Sequence, residues 1–401
     1  MLKKSPFFDF LNRREDTDFH QYLANSVANA DFIDWNNFLL PNDYGDAVVE
    51  YRAIRESCAM FDVSPLRKYR ITGAGSGAFL DRLLTRPASR AASMRGIYVV
   101  FCNEDGSLKD DAILHKYSED DYLLLPSDMD HSAYFEKLLA RFGIQDVTIT
   151  DCTHSWTGFA LQGPLSATVM SHMGFEGIEH LEPFEIRDFP LAGGLVRTAR
   201  MGFTADLGYE CWFQPELRSA IEQCFISVRE SLNLDIPGYG LTALQACRLE
   251  GGFIVAGWDC STEADPQPGF ERTPFELGLG WLVNLDEVDF VGKEALLEQQ
   301  HSGSRFTLAT FKIDDPRKPD DGAVIFAVVD GQKQAVGSVN CSAWSETLGR
   351  VIGNASIDSR HAGIESTWTE LEGEAVQVML SCPPLLKFER ARQVPAPVNE
   401  S

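Results

Sequence analysis

Two adjacent carboxylates, Asp110 and Asp111, stand where a polar turn leads into an apolar segment, in Tyr98-Val-Val-Phe-Cys-Asn-Glu-Asp-Gly-Ser-Leu-Lys-Asp-Asp-Ala-Ile-Leu114. Tyr98–Cys102 and Ala112–Leu114 have strand character, and Asn103-Glu-Asp-Gly106 between them is a turn of the kind that closes a hairpin. Neighbouring side chains on a strand point to opposite faces, so one aspartate looks inward and the other outward. An inward carboxylate costs free energy unless it has a partner or a task, such as taking a proton. A second chemical pattern is Gly73-Ala-Gly-Ser-Gly-Ala78, between a strand at Lys68–Thr72 and a helix at Gly77–Leu84. It matches the dinucleotide fingerprint, which also needs a second parallel strand and an acid about 20 residues on. The segment Ala91-Ala-Ser-Met-Arg-Gly-Ile-Tyr98 holds no acid, so the pattern reads as a glycine-rich turn and no NAD binding is expected. The 8 histidines form no HxxxH or HExxH pattern and the 9 cysteines no CxxC, which predicts reduced, buried thiols and no metal site.

Alternating helix-like and strand-like segments position these groups and indicate a mixed α/β chain. Aromatic-rich Phe32–Tyr44 lies over a pocket or core, and helical spacing covers Asp46–Cys58. A further short helix is expected at Phe19–Ala28. Strands follow at Asp121–Leu125, Asp146–Thr150, Trp156–Gln162, Gly194–Ala199 and Tyr209–Phe213, with helices at Ser132–Phe142, Leu165–Met173, Pro215–Glu230 and Leu241–Glu250. Gly257–Arg272 is a polar, acidic loop. From residue 305 the texture changes to short strands and turns, the pattern of a small barrel or sandwich, which divides the chain into 1–304 and 305–401.

The chain has 401 residues, 44% of them hydrophobic, enough for two or three domains with a sizeable core. No apolar run reaches membrane-spanning length and the amino terminus is not a signal peptide, so a cytoplasmic protein is expected. The net charge of −24 repels nucleic acid and anionic lipid. Nothing in the sequence decides between a monomer and a homodimer.

Ordered motifs extend the hairpin into a family resemblance. They are Phe61-Asp-Val-Ser64, the hairpin itself, Leu161-Gln-Gly-Pro164, Gly202-Phe-Thr204 with Gly208-Tyr-Glu210, Arg248-Leu-Glu-Gly-Gly252, Pro274-Phe-Glu-Leu-Gly-Leu-Gly-Trp281, Phe290-Val-Gly-Lys-Glu-Ala-Leu296 and Ser342–Gly349. Together they resemble the folate-dependent aminomethyltransferases, the family of the glycine-cleavage T-protein and its demethylase relatives, from about Phe32 to the end. The resemblance implies an α+β, three-domain fold with a central folate cavity, two interleaved subdomains and a carboxy-terminal β-barrel. It implies tetrahydrofolate as cofactor, Asp111 as the catalytic aspartate near the reactive nitrogens, and Tyr98, Ser127, Phe203, Glu210 and Arg248 as folate-site residues. A carboxylate such as Glu210 can accept from a pterin's N–H groups, and an arginine suits folate's anionic tail. Two roles stay open for Arg248, pocket residue or partner of a core acid. Asp110 is expected to face away into solvent.

The chain departs from the T-protein at Phe203, where the family has tyrosine, at Pro126-Ser-Asp128 in place of an asparagine motif, and in the longer acidic loop Gly257–Arg272. The strong negative charge also opposes docking of an acidic lipoyl carrier protein. The expected activity is therefore transfer of a methyl group to tetrahydrofolate from a small methylated donor, such as dimethylsulfoniopropionate, a betaine or a methylated amine. Trp35, Phe38, Tyr44 and Trp258 are candidate aromatic walls for such a cation. The alternatives are the glycine-cleavage aminomethyltransferase and a non-catalytic folate-binding regulatory protein.

Overall fold

The computed structural model describes residues 2–12 and 31–394. The helix expected at Phe19–Ala28 lies outside the described residues.

Two five-stranded antiparallel sheets face each other. The first has the order Arg95–Cys102, Leu108–Ser118, Asp121–Pro126, Tyr69–Thr72, Thr148–Asp151. Its two longest strands form the hairpin read from the sequence, with Tyr98 opposite Ile113, Val100 opposite Asp111 and Phe101 opposite Asp110. The alternation then sorts side chains. Val99, Phe101, Ala112 and Leu114 pack beneath the helices Ser76–Leu83 and Ser132–Phe142, while Tyr98, Val100, Asp111 and Ile113 take the other face.

The second sheet has the order Ile186–Leu191, Gly194–Ala199, Gly208–Phe213, Thr157–Gln162, Ala59–Asp62. Ala59–Asp62 precedes the first sheet along the chain, so the two units interleave. Phe159, Leu161, Tyr209, Cys211 and Phe213 pack against the helices Ser166–Met173 and Arg218–Leu232. Ala160, Ala199 and Trp212 point the other way and share one cluster with Ile113, Tyr117 and Leu123 of the first sheet. Trp212 fits only because residue 158 is glycine: a Cβ there would lie 2.4 Å from the indole ring.

The third unit is a closed barrel whose first strand is Phe306–Ile313 and whose last is Glu374–Ser381. A buried polar knot fastens it to the rest. Glu250, on the helix Leu241–Gly251, accepts from the Tyr51 hydroxyl, from Arg55 Nη2 at 2.5 Å and from Ser345 Oγ of the barrel at 2.5 Å. Arg55 also pairs with Asp206, which is held in turn by Arg390.

Most expected elements are present at nearly the expected bounds. The helix Ala47–Glu56 starts one residue inside the expected span because Asp46 caps it, accepting from Val48 N at 2.9 Å and Val49 N at 3.2 Å. Within the two five-stranded sheets, two strands, Ala59–Asp62 and Ile186–Leu191, were not anticipated. The glycine turn at Gly73 is structural. Gly73 has φ +109°, a Cβ there would meet Asp146 O at 2.2 Å, and Asp146 already accepts the Ala74 and Gly75 amides that a phosphate would need. No described helix is long and apolar enough to cross a membrane.

Candidate active site

Asp111 and Glu210 stand on the facing sides of the two sheets. On the first sheet, the Tyr98 hydroxyl donates to Asp111 Oδ2 at 2.8 Å. Burial and then the neighbouring Asp110 charge push the Asp111 carboxyl above the usual carboxylate range, against the opposing pull of Tyr98 and the Ala256 amide. Asp111 therefore holds a proton more readily than an exposed aspartate does. It stays partly accessible although it lies between packed layers, as does Tyr98. Tyr98 in turn neighbours Trp281, ring centroids 6.2 Å apart, and Trp281 is 67% exposed.

Glu210 is the more informative group. Its strand neighbours in register are Ala160 and Ala199, so no large side chain flanks it. Its carboxyl makes no hydrogen bond to any described residue, and burial alone raises it from 4.5 to about 7. A carboxyl left without donors in apolar surroundings, yet partly accessible, fits a ligand that brings N–H donors of its own. A pterin edge is such a ligand, so the residues present fit tetrahydrofolate.

The other expected site residues have different surroundings. Phe203 stacks on Phe253, centroids 5.3 Å apart at 22°, and offers an apolar wall in place of a hydroxyl. Arg248 is fully buried and its donors are taken: Nε by Gln245, Nη1 by Phe253 O and by Asp259 at 2.6 Å, Nη2 by Cys341. Of the two roles open to it, the structure shows pairing with a core acid, which anchors the turn from Phe253 to Asp259. Ser127 donates to Asp110 Oδ2 at 2.8 Å, so its hydroxyl is turned to the back of the hairpin strand. The expectation that Asp110 is solvated is corrected. Asp110 is completely buried and accepts from His131 Nε2 at 2.7 Å, because its face of the strand lies under the helix Ser132–Phe142. His131 carried no recognisable sequence signal, since its partner lies 21 residues away along the chain.

The candidate aromatic walls separate in the same way. Phe38 and Tyr44 are buried, Tyr44 in the core beneath the second sheet, and Trp35 packs on Phe61 at 6.0 Å. Trp258 is 37% exposed and lines a 480 Å³ pocket beside Trp344 and Asp321, at the junction of the barrel with the helix Leu241–Gly251. The acidic loop Gly257–Arg272 is fastened to the hairpin by Leu108 N to Arg272 O at 2.7 Å and by Lys109 Nζ to Glu263 at 2.5 Å.

Asp111, held by Tyr98, and Glu210, without a hydrogen bond to any described residue, thus lie on facing sides of two interleaved sheets to which a barrel is attached. Residues 20–287 match the family described as the GCVT N-terminal domain. The chain is 30% identical over 364 residues to an aminomethyltransferase of Bacillus pumilus, covering 90% of this chain and 92% of that protein. It is 28% identical over 385 residues to an aminomethyltransferase of Caldanaerobacter subterraneus subsp. tengcongensis, covering 96% and 93%. The crystal structure of the glycine cleavage system aminomethyltransferase T from Bartonella henselae has the same fold, with TM-score 0.79 at 21% identity over 98% of this chain and 99% of that one. The chain belongs to the GCVT family. It is accordingly an enzyme of one-carbon transfer that uses tetrahydrofolate.

Proposed function

We propose that this protein transfers an aminomethyl-derived one-carbon unit to tetrahydrofolate, as the names of its relatives indicate for them. The single observation that carries the reading is the placement of Asp111, held by Tyr98, and of Glu210, with no hydrogen bond to a described residue, on facing sides of the two sheets. Tetrahydrofolate supplies the nitrogens that receive the carbon. Glu210 accepts N–H bonds from the pterin edge and fixes its orientation, which lowers the entropic part of the barrier. Asp111, steadied by Tyr98, takes the folate N–H proton and passes it to the departing thiol or ammonia as the transferred carbon exchanges its bonds to carrier sulfur and amino nitrogen for bonds to folate nitrogens. Phe203 and Phe253 form an apolar wall that excludes water. The test is Asp111→Asn. Tetrahydrofolate binding, read by tryptophan fluorescence, is retained, and turnover with aminomethylated carrier protein falls by about 100-fold or more. Unchanged turnover in this variant refutes the mechanism.

A second reading is methyl transfer from a small cationic donor, a sulfonium or betaine. The absent hydroxyl at Phe203 and the net charge of −24 favour it, the latter because an acidic chain repels an acidic carrier and attracts a small cation. Wild-type protein with tetrahydrofolate is offered either aminomethylated carrier or dimethylsulfoniopropionate. Methylenetetrahydrofolate from the first supports the first reading, and 5-methyltetrahydrofolate from the second supports the other.

A further inference from the structure

Behind Asp111, on the reverse face of the same strand, lies a second polar group that the reaction does not touch. Asp110 is completely buried and His131 nearly so, at 3% exposure. Every oxygen of Asp110 is engaged: Oδ2 accepts from His131 Nε2 at 2.7 Å and Ser127 Oγ at 2.8 Å, and Oδ1 accepts the Asp111 backbone amide at 2.9 Å. The imidazole is held as firmly. Its ring is edge-on to Phe101 at 5.0 Å and packs on Phe135 at 5.6 Å, while the His131 amide donates to the Tyr69 hydroxyl at 2.8 Å. The neighbours of Asp110 on its face are Ala112, Leu114 and Phe101, among which an apolar residue would be the cheaper occupant.

We propose that Asp110 and His131 form a carboxylate–imidazole pair that positions Asp111, with His131 acting through Asp110. The inference rests on the role given to Asp111 above. The link is covalent and short. Asp110 grips the amide of the next residue, so the pair fixes the peptide from which the Asp111 side chain projects to the opposite face. It also sets the local field. Among the described residues, the charged and titratable groups around Asp111 are the Tyr98 hydroxyl and the Cys260 thiol, with Asp259 locked to Arg248 and Glu210 on the facing sheet. Around Asp110 are His131, Asp128 and the Lys109–Glu263 pair. Among these, Asp110 is the charge that opposes ionisation of Asp111.

The experiment measures kcat, KM and tetrahydrofolate affinity against pH for H131A, H131Q, D110N and D111N, using whichever of the two donors wild type turns over. His131→Ala is expected to lower kcat by about 10- to 100-fold, the cost of a misplaced reactive group, with tetrahydrofolate affinity unchanged. His131→Gln, which can still donate to Asp110, recovers most of that loss. Asp110→Asn moves the acidic limb of the kcat profile to lower pH, because a negative charge beside Asp111 is gone. If Asp110→Asn does not fold, the alanine–glutamine comparison at 131 decides. Wild-type kcat in His131→Ala, or a folded Asp110→Asn with an unshifted limb, overturns the inference. An active Asp111→Asn sinks the underlying assignment instead, and an inactive one beside an active His131→Ala sinks only this proposal.

Discussion

Replacing Glu210 by glutamine should stabilise the ligand-free protein while crippling it. The Glu210 carboxyl is raised from 4.5 to about 7 by burial, with no hydrogen bond from a described residue to offset the cost. The folded chain therefore keeps a proton on Glu210 at pH values where the unfolded chain has lost it. No penalty exists below pH 4.5; it grows as pH rises and is complete above about 7. At 1.36 kcal/mol per pH unit the displacement corresponds to about 3 kcal/mol, and the partial exposure of the carboxyl reduces this to about 1–3 kcal/mol. Glu210→Gln, neutral throughout, should thus be more stable than wild type by that amount at pH 8 and equal to it at pH 4. Asp111, raised above the usual carboxylate range, and Glu50, raised to about 7, keep a residual slope of the same sign in the variant. Urea unfolding followed by tryptophan fluorescence at both pH values measures the difference. In parallel, the amide presents N–H groups to a ligand edge that itself donates, so tetrahydrofolate should bind about 10- to 100-fold more weakly. A variant less stable than wild type at pH 8, or one that binds tetrahydrofolate normally, refutes the view of Glu210 as a carboxyl kept without a partner for its ligand.

Three further outcomes test the scaffold. Lys68 is buried over the Trp212 ring, donates to Ser64 O and Leu66 O, and is lowered from 10.5 to about 7 by burial; its penalty is therefore full below about pH 7 and absent above 10.5, so Lys68→Met should gain stability relative to wild type as pH falls from 9 to 5 in the same urea assay. Glu250→Ala takes one of the two acids from Arg55, leaving Asp206, and strips the knot between helix and barrel, at a cost of about 3–5 kcal/mol, read as a lower thermal midpoint. Gly158→Ala drives a methyl group into Trp212 and should cost about 1–3 kcal/mol with a changed near-ultraviolet dichroism spectrum, whereas an unchanged spectrum contradicts the close approach.

The hairpin was legible because its turn residues and its period of two agree, and the barrel because short strands and turns recur after residue 305. Ile186–Leu191 was hidden by Pro190, which weakens any strand pattern; an edge position makes the proline tolerable. Ala59–Asp62 was hidden because all four residues are buried, so no alternation shows. Motif order singled out Asp111 and Glu210, but alternation alone could not say what covers the reverse face of a strand. Solvent was assumed behind Asp110, where a helix contributed by later sequence supplies His131.

The buried acids of this chain show why hydrogen-bond inventory separates function from scaffold better than acidity does. Asp62 is held by the Phe7 and Ser64 amides, Asp259 by Arg248 and the Val255 amide, and Glu250 by Tyr51, Arg55 and Ser345. Glu50 is raised to about 7 just as Glu210 is, yet each of its oxygens takes a backbone amide, from Tyr44 and from Gly240. A raised carboxyl with both oxygens occupied is a fastener whose burial the fold tolerates. Glu210 shares the perturbation and lacks the donors. Folding alone gives no reason to keep such a group, since glutamine or an apolar residue would cost less at neutral pH. No described residue supplies the missing donors, and the flanking Ala160 and Ala199 are small, which suits a ligand edge that brings N–H groups of its own.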